Sequence, residues 1–169
     1  MKYWKLTILS VILTCFTSQF VYGQEFQFMY GDSMRTYVVH APDLDPNPNG
    51  YPLVIGLHGA GSYGAQFIAT AFLARKANQE KFIIAAPNAL IYNFVSWWNA
   101  GDGYEEICNG TNDVGFISAL IDTMIKNYNI DITRIYVMAH SSGSMMAYRV
   151  AAELSHKIAA IATNSGQMV

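Results

Sequence analysis

The sequence predicts an α/β fold in which helices cover both faces of a mostly parallel β-sheet. Two patterns carry this prediction. Short, continuous apolar runs, typical of strands buried on both faces, alternate with longer segments of helical periodicity from residue 53 onward. Before them, two segments of alternating apolar residues flank Gly31-Asp32-Ser33, which is typical of a β-hairpin.

The predicted elements follow one another without a repeat or a low-complexity tract. Strands are predicted over residues 26–30, 34–40, 53–57, 82–86, 134–139 and 158–163. Asn112 precedes the second of three predicted helices and is a suitable N-cap for it. Those helices span residues 67–79, 113–128 and 142–156. We expect the four strands after the hairpin to be buried.

Composition excludes several classes of protein. Of the 169 residues, 52% are apolar and 13% are charged, which excludes a disordered or collagen-like chain. A formal net charge of -2 gives no excess of basic side chains for nucleic acid or an anionic membrane. No cluster has metal-ligand spacing and no glycine-rich loop is suited to a phosphate, so no metal or other cofactor is predicted. We expect a small or neutral partner.

The first 23 residues have the pattern of a secretory signal peptide. A short basic segment precedes an apolar stretch too short to span a bilayer, and a small-residue cleavage pattern ends at Gly23. An uncleaved anchor, a buried N-terminal helix and a lipoprotein modified at Cys15 are the alternatives. We therefore expect an extracellular or periplasmic protein whose residues 24–169 belong to one domain. Cys108 would then be either unpaired or paired outside this sequence.

The segment from Ala139 to Ser144 has the pattern of a nucleophile elbow. It joins a predicted strand to a predicted helix, with Ser141 at the turn. Such a turn lifts the serine hydroxyl above the sheet. The strand and helix then pack so closely that the positions two before and two after the serine must be small, as Ala139 and Gly143 are. A serine that only caps the helix is the alternative.

A second glycine-rich turn, HGAG at residues 58–61, follows the predicted strand over residues 53–57. Acyl transfer needs two amide donors for the developing oxyanion, and two loops at the same edge of a sheet can supply them. The amide of Ser142 lies in the first turn of a helix, where the dipole favours negative charge. We therefore predict Ser141 as the nucleophile and the amides of Ser142 and Ala60 as the oxyanion hole.

Taken together, these motifs resemble secreted esterases of the polyhydroxybutyrate-depolymerase and feruloyl/acetylxylan-esterase type. The similarity runs from about Arg35 to Gly166, and its motifs are PLVIGLHGAG at 52–61, WWN at 97–99, NDVGFI at 112–117, ID at 130–131, RIYV at 134–137 and SSGSMMAYR at 141–149. The resemblance implies the α/β-hydrolase fold and hydrolysis of a polyester, feruloyl ester or acetyl ester through an acyl-serine intermediate. This chain has Ala139 and Ser144 where that family usually has glycine.

The resemblance also implies a triad in the order serine, acid, histidine, but no suitable acid and base follow Ser141. Glu153 and His156 lie on the helix that starts at the elbow, about 18 and 22 Å along its axis from the serine. A base must lie about 3 Å from the hydroxyl. The resemblance gives His58 a role in shaping the oxyanion loop, and His140 should point to the other side of the sheet.

We therefore expect the base and the acid to lie beyond residue 169. Residues 24–169 would then be the N-terminal portion of an α/β-hydrolase domain, with its C-terminal strands missing and without activity of its own. A non-catalytic binding protein that kept the pocket, or an inactive remnant of the fold, are the alternatives.

Trp97 and Trp98 lie in the long predicted loop of residues 88–111. Aromatic side chains on a long loop above the sheet can form a platform for an aryl ester or a sugar ring. With His58, whose loop borders the expected pocket, they are the predicted substrate contacts. The alternative is that the two tryptophans only cover the core. The expected partner is an ester, either polymeric or linked to carbohydrate, with neither nucleic acid nor stable membrane association.

Overall fold

The computed structural model describes residues 23–43 and 45–168. The predicted signal peptide, apart from Gly23, lies outside these residues, as does Cys15. Eight strands are described: β1 (Gln24–Tyr30), β2 (Ser33–His40), β3 (Tyr51–Leu57), β4 (Ile83–Pro87), β5 (Leu90–Tyr92), β6 (Val95–Trp97), β7 (Ile130–His140) and β8 (Ala160–Asn164). Four helices accompany them: α1 (Gly64–Thr70), α2 (Leu73–Glu80), α3 (Asp113–Asn127) and α4 (Ser142–Glu153).

Six strands form one sheet in the order β1-β2-β4-β3-β7-β8. The hairpin partners β1 and β2 are antiparallel, and β2 is antiparallel to β4. The other three pairings, β3 with β4, β3 with β7 and β7 with β8, are parallel. The predicted α/β architecture with an N-terminal hairpin is therefore confirmed.

Helices cover both faces of the sheet, as predicted. Successive strand residues face opposite sides, so neighbours such as Val38 and Val39 enter different cores. Val38, Ile84 and Ala86 pack with α1 and α2. Val39 and Ala85 belong to the larger core, which includes apolar side chains of α3 and α4.

The sheet register places two loops side by side. Leu57, at the end of β3, pairs with Ala139 near the end of the parallel strand β7. The turns that follow these strands therefore emerge at the same edge of the sheet. These are the turn over residues 58–61 and the predicted elbow at Ser141.

Several predicted bounds differ from the observed ones. The helix predicted over residues 67–79 is two helices, because Phe72 adopts a left-handed conformation (φ 53°) between them. The predicted loop of residues 88–111 contains the β5–β6 hairpin, which forms a separate two-stranded sheet. The N-cap prediction is confirmed, since the Asn112 side chain accepts a hydrogen bond from the amide of Gly115 at 2.8 Å.

The last strand is less buried than predicted. β8 pairs only with β7 among the described strands, and its residues alternate between exposed and half-buried. The prediction of a buried strand over residues 158–163 was therefore wrong in burial, although the strand itself is present. Cys108 is buried and unpaired among the described residues. Within residues 23–43 and 45–168, no helix is both long and apolar enough to cross a membrane.

Candidate active site

Ser141 occupies a strained turn between β7 and α4. Its φ of 54° and ψ of -123° lie outside the regions that a non-glycine residue normally adopts. Strain of this kind is typical of a nucleophile elbow, which holds the hydroxyl above the sheet. The Ser141 side chain makes no capping hydrogen bond to α4, which argues against the alternative that it serves only as a helix cap. Its amide donates to the carbonyl oxygen of Asn164 at 2.9 Å.

Close packing explains the small residues around the elbow. A methyl group added at Gly143 would lie 2.3 Å from the carbonyl oxygen of Leu57, so only glycine fits between α4 and the end of β3. Ser144, at a position where the resemblance noted above implies glycine, is accommodated by hydrogen bonds. Its hydroxyl donates to the Asn164 carbonyl at 2.8 Å and accepts from the Asn164 amide at 3.1 Å. The serine therefore ties the end of β8 to the first turn of α4.

The glycine-rich turn packs directly against the elbow. A methyl group added at Gly59 would lie 3.2 Å from the Cβ of Ser141. The amide of Gly61 donates to the Ser96 carbonyl at 3.0 Å, which fixes the far side of the turn. Ala60 lies between Gly59 and Gly61, and its amide has no acceptor within the described residues. The structure therefore brings the predicted oxyanion loop and the predicted nucleophile together.

Ser142 is the first residue of α4, so its amide has no acceptor within the helix. The dipole of the helix adds a favourable potential for an anion at this end. The Ser142 hydroxyl is buried and has no hydrogen-bond partner in the described part of the chain. The amides of Ser142 and Ala60 are therefore both without an acceptor among the described residues, in the two turns that meet at Ser141.

His58 is fully buried and holds the turn in place. Its Nε2 accepts from the amide of Ala89 at 3.1 Å, which requires the proton on Nδ1, and Nδ1 donates to the Gly59 carbonyl at 2.7 Å. Burial lowers the pKa of the ring, and the hydrogen bond that Nε2 accepts requires its neutral form. The predicted substrate contact by His58 is therefore corrected, because a buried ring with both nitrogens engaged cannot reach a ligand.

This arrangement predicts a pH-dependent stability. The pKa of His58 is lowered in the fold, so below its ordinary value of 6.5 the unfolded chain binds more protons than the folded one. We expect the free energy of unfolding to decrease as the pH falls through that range, measured by urea unfolding between about pH 5 and 8. His58→Gln should lose part of this dependence, whereas the control His156→Gln, at an exposed histidine, should keep it. Equal slopes in all three proteins would contradict the prediction.

Trp98 is also fully buried, which corrects its prediction as a substrate contact. Its indole Nε1 donates to the His58 carbonyl at 2.9 Å, and the two rings lie 5.1 Å apart. Trp97 is half-buried, and its ring lies 5.8 Å from that of Tyr104, whose hydroxyl donates to the sulfur of Met145 at 3.1 Å. Of the two tryptophans predicted to contact the substrate, only Trp97 has a solvent-exposed surface.

Within the described part of the chain, no histidine is hydrogen-bonded to the Ser141 hydroxyl. His40 is hydrogen-bonded to Asn78 at 2.8 Å. His156 follows the end of α4, about 22 Å along the helix axis from Ser141. His140 is exposed at the end of β7 and lines a cavity of about 250 Å³ with Asn164. No group of three potential metal ligands is found among the described residues.

A buried ion pair, which the sequence analysis did not single out, helps to hold the segments around the candidate site. Arg35 Nη2 donates to Asp113 Oδ1 at 2.7 Å, with both side chains only 1% exposed. Asp113 Oδ2 accepts from the amide of Asn99 at 2.8 Å. The carboxylate therefore fixes the segment that follows Trp98, and Trp98 in turn holds the carbonyl of His58.

A groove of about 470 Å³ lies beside the predicted oxyanion loop. Gly61, Ser62 and Tyr63 form one wall, and the β5–β6 hairpin forms another with Ile91 and Phe94. The groove is open to solvent at the rim.

No protein-family model matches the chain. Curated proteins do match it. The chain is 33% identical over 136 residues to a bifunctional acetylxylan esterase/xylanase of Neocallimastix patriciarum, covering 80% of this chain and 18% of that protein. It is 32% identical over 134 residues to feruloyl esterase B of Neurospora crassa, covering 79% of this chain and 43% of that protein. It is 30% identical over 123 residues to poly(3-hydroxyalkanoate) depolymerase C of Paucimonas lemoignei, covering 70% of this chain and 28% of that protein. The chain thus spans less than half the length of these three relatives.

Solved structures agree on the fold. An acetyl xylan esterase from Aspergillus awamori superposes with a TM-score of 0.71 at 21% identity, covering 86% of this chain and 53% of that one. A thermostable esterase superposes with a TM-score of 0.67 at 23% identity, covering 82% and 40%. The chain has the α/β-hydrolase fold, and its homologues are acetylxylan esterases, feruloyl esterases and poly(3-hydroxyalkanoate) depolymerases.

Proposed function

We propose that this chain provides the nucleophile and the oxyanion hole of a serine carboxylic-ester hydrolase. Ser141 attacks the ester carbonyl, and the amides of Ser142 and Ala60 stabilise the oxyanion. The substrate is a polyester, a feruloyl ester or an acetyl ester, classes that include those named for its homologues. Residues 24–169 provide the N-terminal part of the catalytic domain.

The observation that carries this proposal is the backbone of Ser141. Its conformation, with a positive φ and a ψ of -123°, is energetically unfavourable for serine, and no capping bond of its side chain compensates. The same turn sits at the N-terminus of α4, with the Ser141 Cβ next to a glycine turn whose central amide has no acceptor within the described residues. A strained serine next to amides without acceptors is what acyl transfer requires, whereas a plain strand–helix connection requires neither feature.

We further propose that the general base and its acid partner come from outside these 169 residues. His58 uses both ring nitrogens to hold the oxyanion loop, and Glu153 lies about 18 Å along α4 from Ser141. A base must lie about 3 Å from the serine hydroxyl. The described residues therefore provide the electrostatic part of the site, and the proton acceptor is supplied separately.

Export is the remaining part of the proposal. The basic and apolar segments of the first 23 residues support secretion to an extracellular or periplasmic location. A polymeric or carbohydrate-linked ester outside the cell is a substrate that such a protein can reach.

Chemical rescue tests the nucleophile without the missing base. We expect the chain in plain buffer to hydrolyse p-nitrophenyl acetate no faster than its Ser141→Ala variant. Added imidazole should accept the proton of the Ser141 hydroxyl while the oxygen attacks the carbonyl, p-nitrophenolate leaves, and the acetyl group stays on Ser141. Peptide mapping by mass spectrometry detects that acetyl group, and Ser155→Ala, at an exposed serine, is the matched control.

The outcomes separate the alternatives. Imidazole-dependent acetylation of Ser141 well above that of exposed serines supports the proposed nucleophile. Acetylation no greater than at those serines would overturn it and favour a non-catalytic binding protein. Hydrolysis that depends on Ser141 without imidazole would show that a base within the chain is used, which overturns the proposal of an external one.

A further inference from the structure

We propose that Ser144 is a positioning residue for the nucleophile, because its hydroxyl holds the peptide group that accepts the hydrogen bond of the Ser141 amide. This inference rests on the proposed function of Ser141 and adds a residue to its support. Ser144 is fully buried in the first turn of α4, three residues after the nucleophile. The resemblance implies glycine at this position, so the elbow motif itself does not call for a hydroxyl here.

Both backbone polar groups of Ser141 have partners. Its amide donates to the Asn164 carbonyl at 2.9 Å, and its carbonyl accepts from the amides of Ser144 at 2.8 Å and Met145 at 3.3 Å. These bonds fix the two peptide planes that flank the Ser141 Cα. A residue with a φ of 54° and a ψ of -123° keeps such a strained conformation only where its surroundings hold it.

The Ser144 hydroxyl links these bonds to one another at Asn164. It donates to the Asn164 carbonyl at 2.8 Å and accepts from the Asn164 amide at 3.1 Å. The Asn164 carbonyl therefore accepts two hydrogen bonds, one from the Ser141 amide and one from the Ser144 hydroxyl. Ser144 thus acts on both sides of Ser141, because its amide binds the Ser141 carbonyl and its hydroxyl holds the acceptor of the Ser141 amide.

Asn164 needs this second attachment because it lies at the end of an edge strand. It is the last residue of β8 and is exposed. Among the described strands β8 pairs only with β7, where Asn164 is in register with His140. Strand ends with little packing open readily. A hydrogen bond from the first turn of α4 therefore holds the peptide group on which the Ser141 amide depends.

The chain after β8 closes over this contact. A methyl group added at Gly166 would lie 2.4 Å from the Ser144 Cβ and 2.7 Å from the Ser141 carbonyl oxygen. Gly166 therefore packs directly on the elbow, and it leaves the Ser144 side chain 0% exposed. A buried hydrogen bond of this kind is not readily replaced by one to water, so its loss should be felt at Ser141.

Ser144→Ala tests the inference, because it removes the hydroxyl and keeps the Cβ. The full chain is compared by NMR hydrogen exchange of the Ser141 amide and by imidazole-dependent acetylation of Ser141 over a series of p-nitrophenyl acetate concentrations. We expect the exchange to be about tenfold faster and the limiting rate of acetylation about tenfold lower, as for the loss of one buried hydrogen bond. The half-saturating ester concentration should stay the same, because the buried hydroxyl is not accessible to the ester.

Ser118→Ala is the matched control. The Ser118 hydroxyl also makes one hydrogen bond, from Lys157 Nζ at 2.9 Å, but it lies on α3. Urea unfolding of each variant reports the global stability separately. Ser144→Gly removes the same hydroxyl and introduces the residue that the resemblance implies, so it takes the place of Ser144→Ala if that variant does not fold. The same two changes are expected in it.

Faster exchange and a lower limiting rate in the Ser144 variant, with neither change in Ser118→Ala, support the inference. Values equal to those of the unmodified chain, or equal losses in the Ser144 and Ser118 variants, would overturn it. The proposed function is separated from it by the unmodified chain. If that chain shows no acetylation of Ser141 but the Ser144 variant still exchanges faster, the attachment of Asn164 is supported and the nucleophile is rejected.

Discussion

Replacing Arg35 with methionine is expected to lower the free energy of unfolding by about 3–5 kcal/mol. Arg35 and Asp113 are each only 1% exposed, so the substitution leaves the Asp113 carboxylate buried without its cation. The guanidinium also lies 3.8 Å from the ring centroid of Phe116, so Arg35→Met removes a cation–π contact as well. Urea unfolding followed by circular dichroism measures the loss.

An exposed ion pair provides the control. Lys76 and Glu80 are 2.8 Å apart on α2 with their side chains 59% exposed, and such pairs contribute at most a few tenths of a kcal/mol. Lys76→Met should therefore change the stability by less than about 0.5 kcal/mol. If Arg35→Met lowers the free energy of unfolding as little as Lys76→Met does, the buried ion pair does not stabilise the fold in the way its geometry indicates.

The order of elements could be predicted from the sequence because each element has a local signature. Continuous apolar runs marked β3, β4 and β7, and the stripe of α3 with its cap at Asn112 marked that helix. The ion pair of Arg35 with Asp113 had no such signature, because the two residues are 78 positions apart. A charged residue inside a strand pattern was the one available signal, and its partner is defined only by the tertiary fold.

Local patterns also failed where the backbone departs from regular geometry. Nothing in the apolar periodicity of residues 67–79 marks the left-handed Phe72 that divides the segment into α1 and α2. The turn of the β5–β6 hairpin has Asn93 and Phe94 at positive φ, and the sequence shows Asn-Phe instead of the Asn-Gly typical of such turns. This hairpin is the part of the site region that sequence reasoning missed, and it forms a wall of the groove.

In the candidate site, too, sequence patterns point to some residues and not to others. Ser141, Ser142 and Ala60 could be singled out from the sequence because an elbow and an oxyanion turn depend on small residues next to a strand end, and their catalytic roles stay predictions. The roles of His58 and Trp98 could not, because an aromatic residue in a loop has the same sequence signature whether its ring faces a ligand or the core. Burial decides between them, and the structure assigns both rings to support of the loop.

Gly143→Ala is the second substitution for which we expect a large effect. In an ordinary helix this change is stabilising by about 1 kcal/mol, because alanine has the higher helix propensity. Here the new methyl group would lie 2.3 Å from the Leu57 carbonyl and 2.6 Å from the His58 carbonyl. Both atoms belong to the backbone, so no side-chain rotation relieves the overlap, and α4 must move away from β3.

Overpacking of this kind costs about 1–3 kcal/mol, so the overlap outweighs the gain in propensity. We expect Gly143→Ala to be less stable in urea and to lose the imidazole-dependent acetylation of Ser141, because movement of α4 shifts the Ser142 amide away from the oxyanion loop. Ala152→Ser, at an exposed position of the same helix, should leave both measurements near those of the unmodified chain. If Gly143→Ala were more stable and still acetylated, helix propensity would dominate, and the close approach of α4 to β3 would not be what positions the nucleophile.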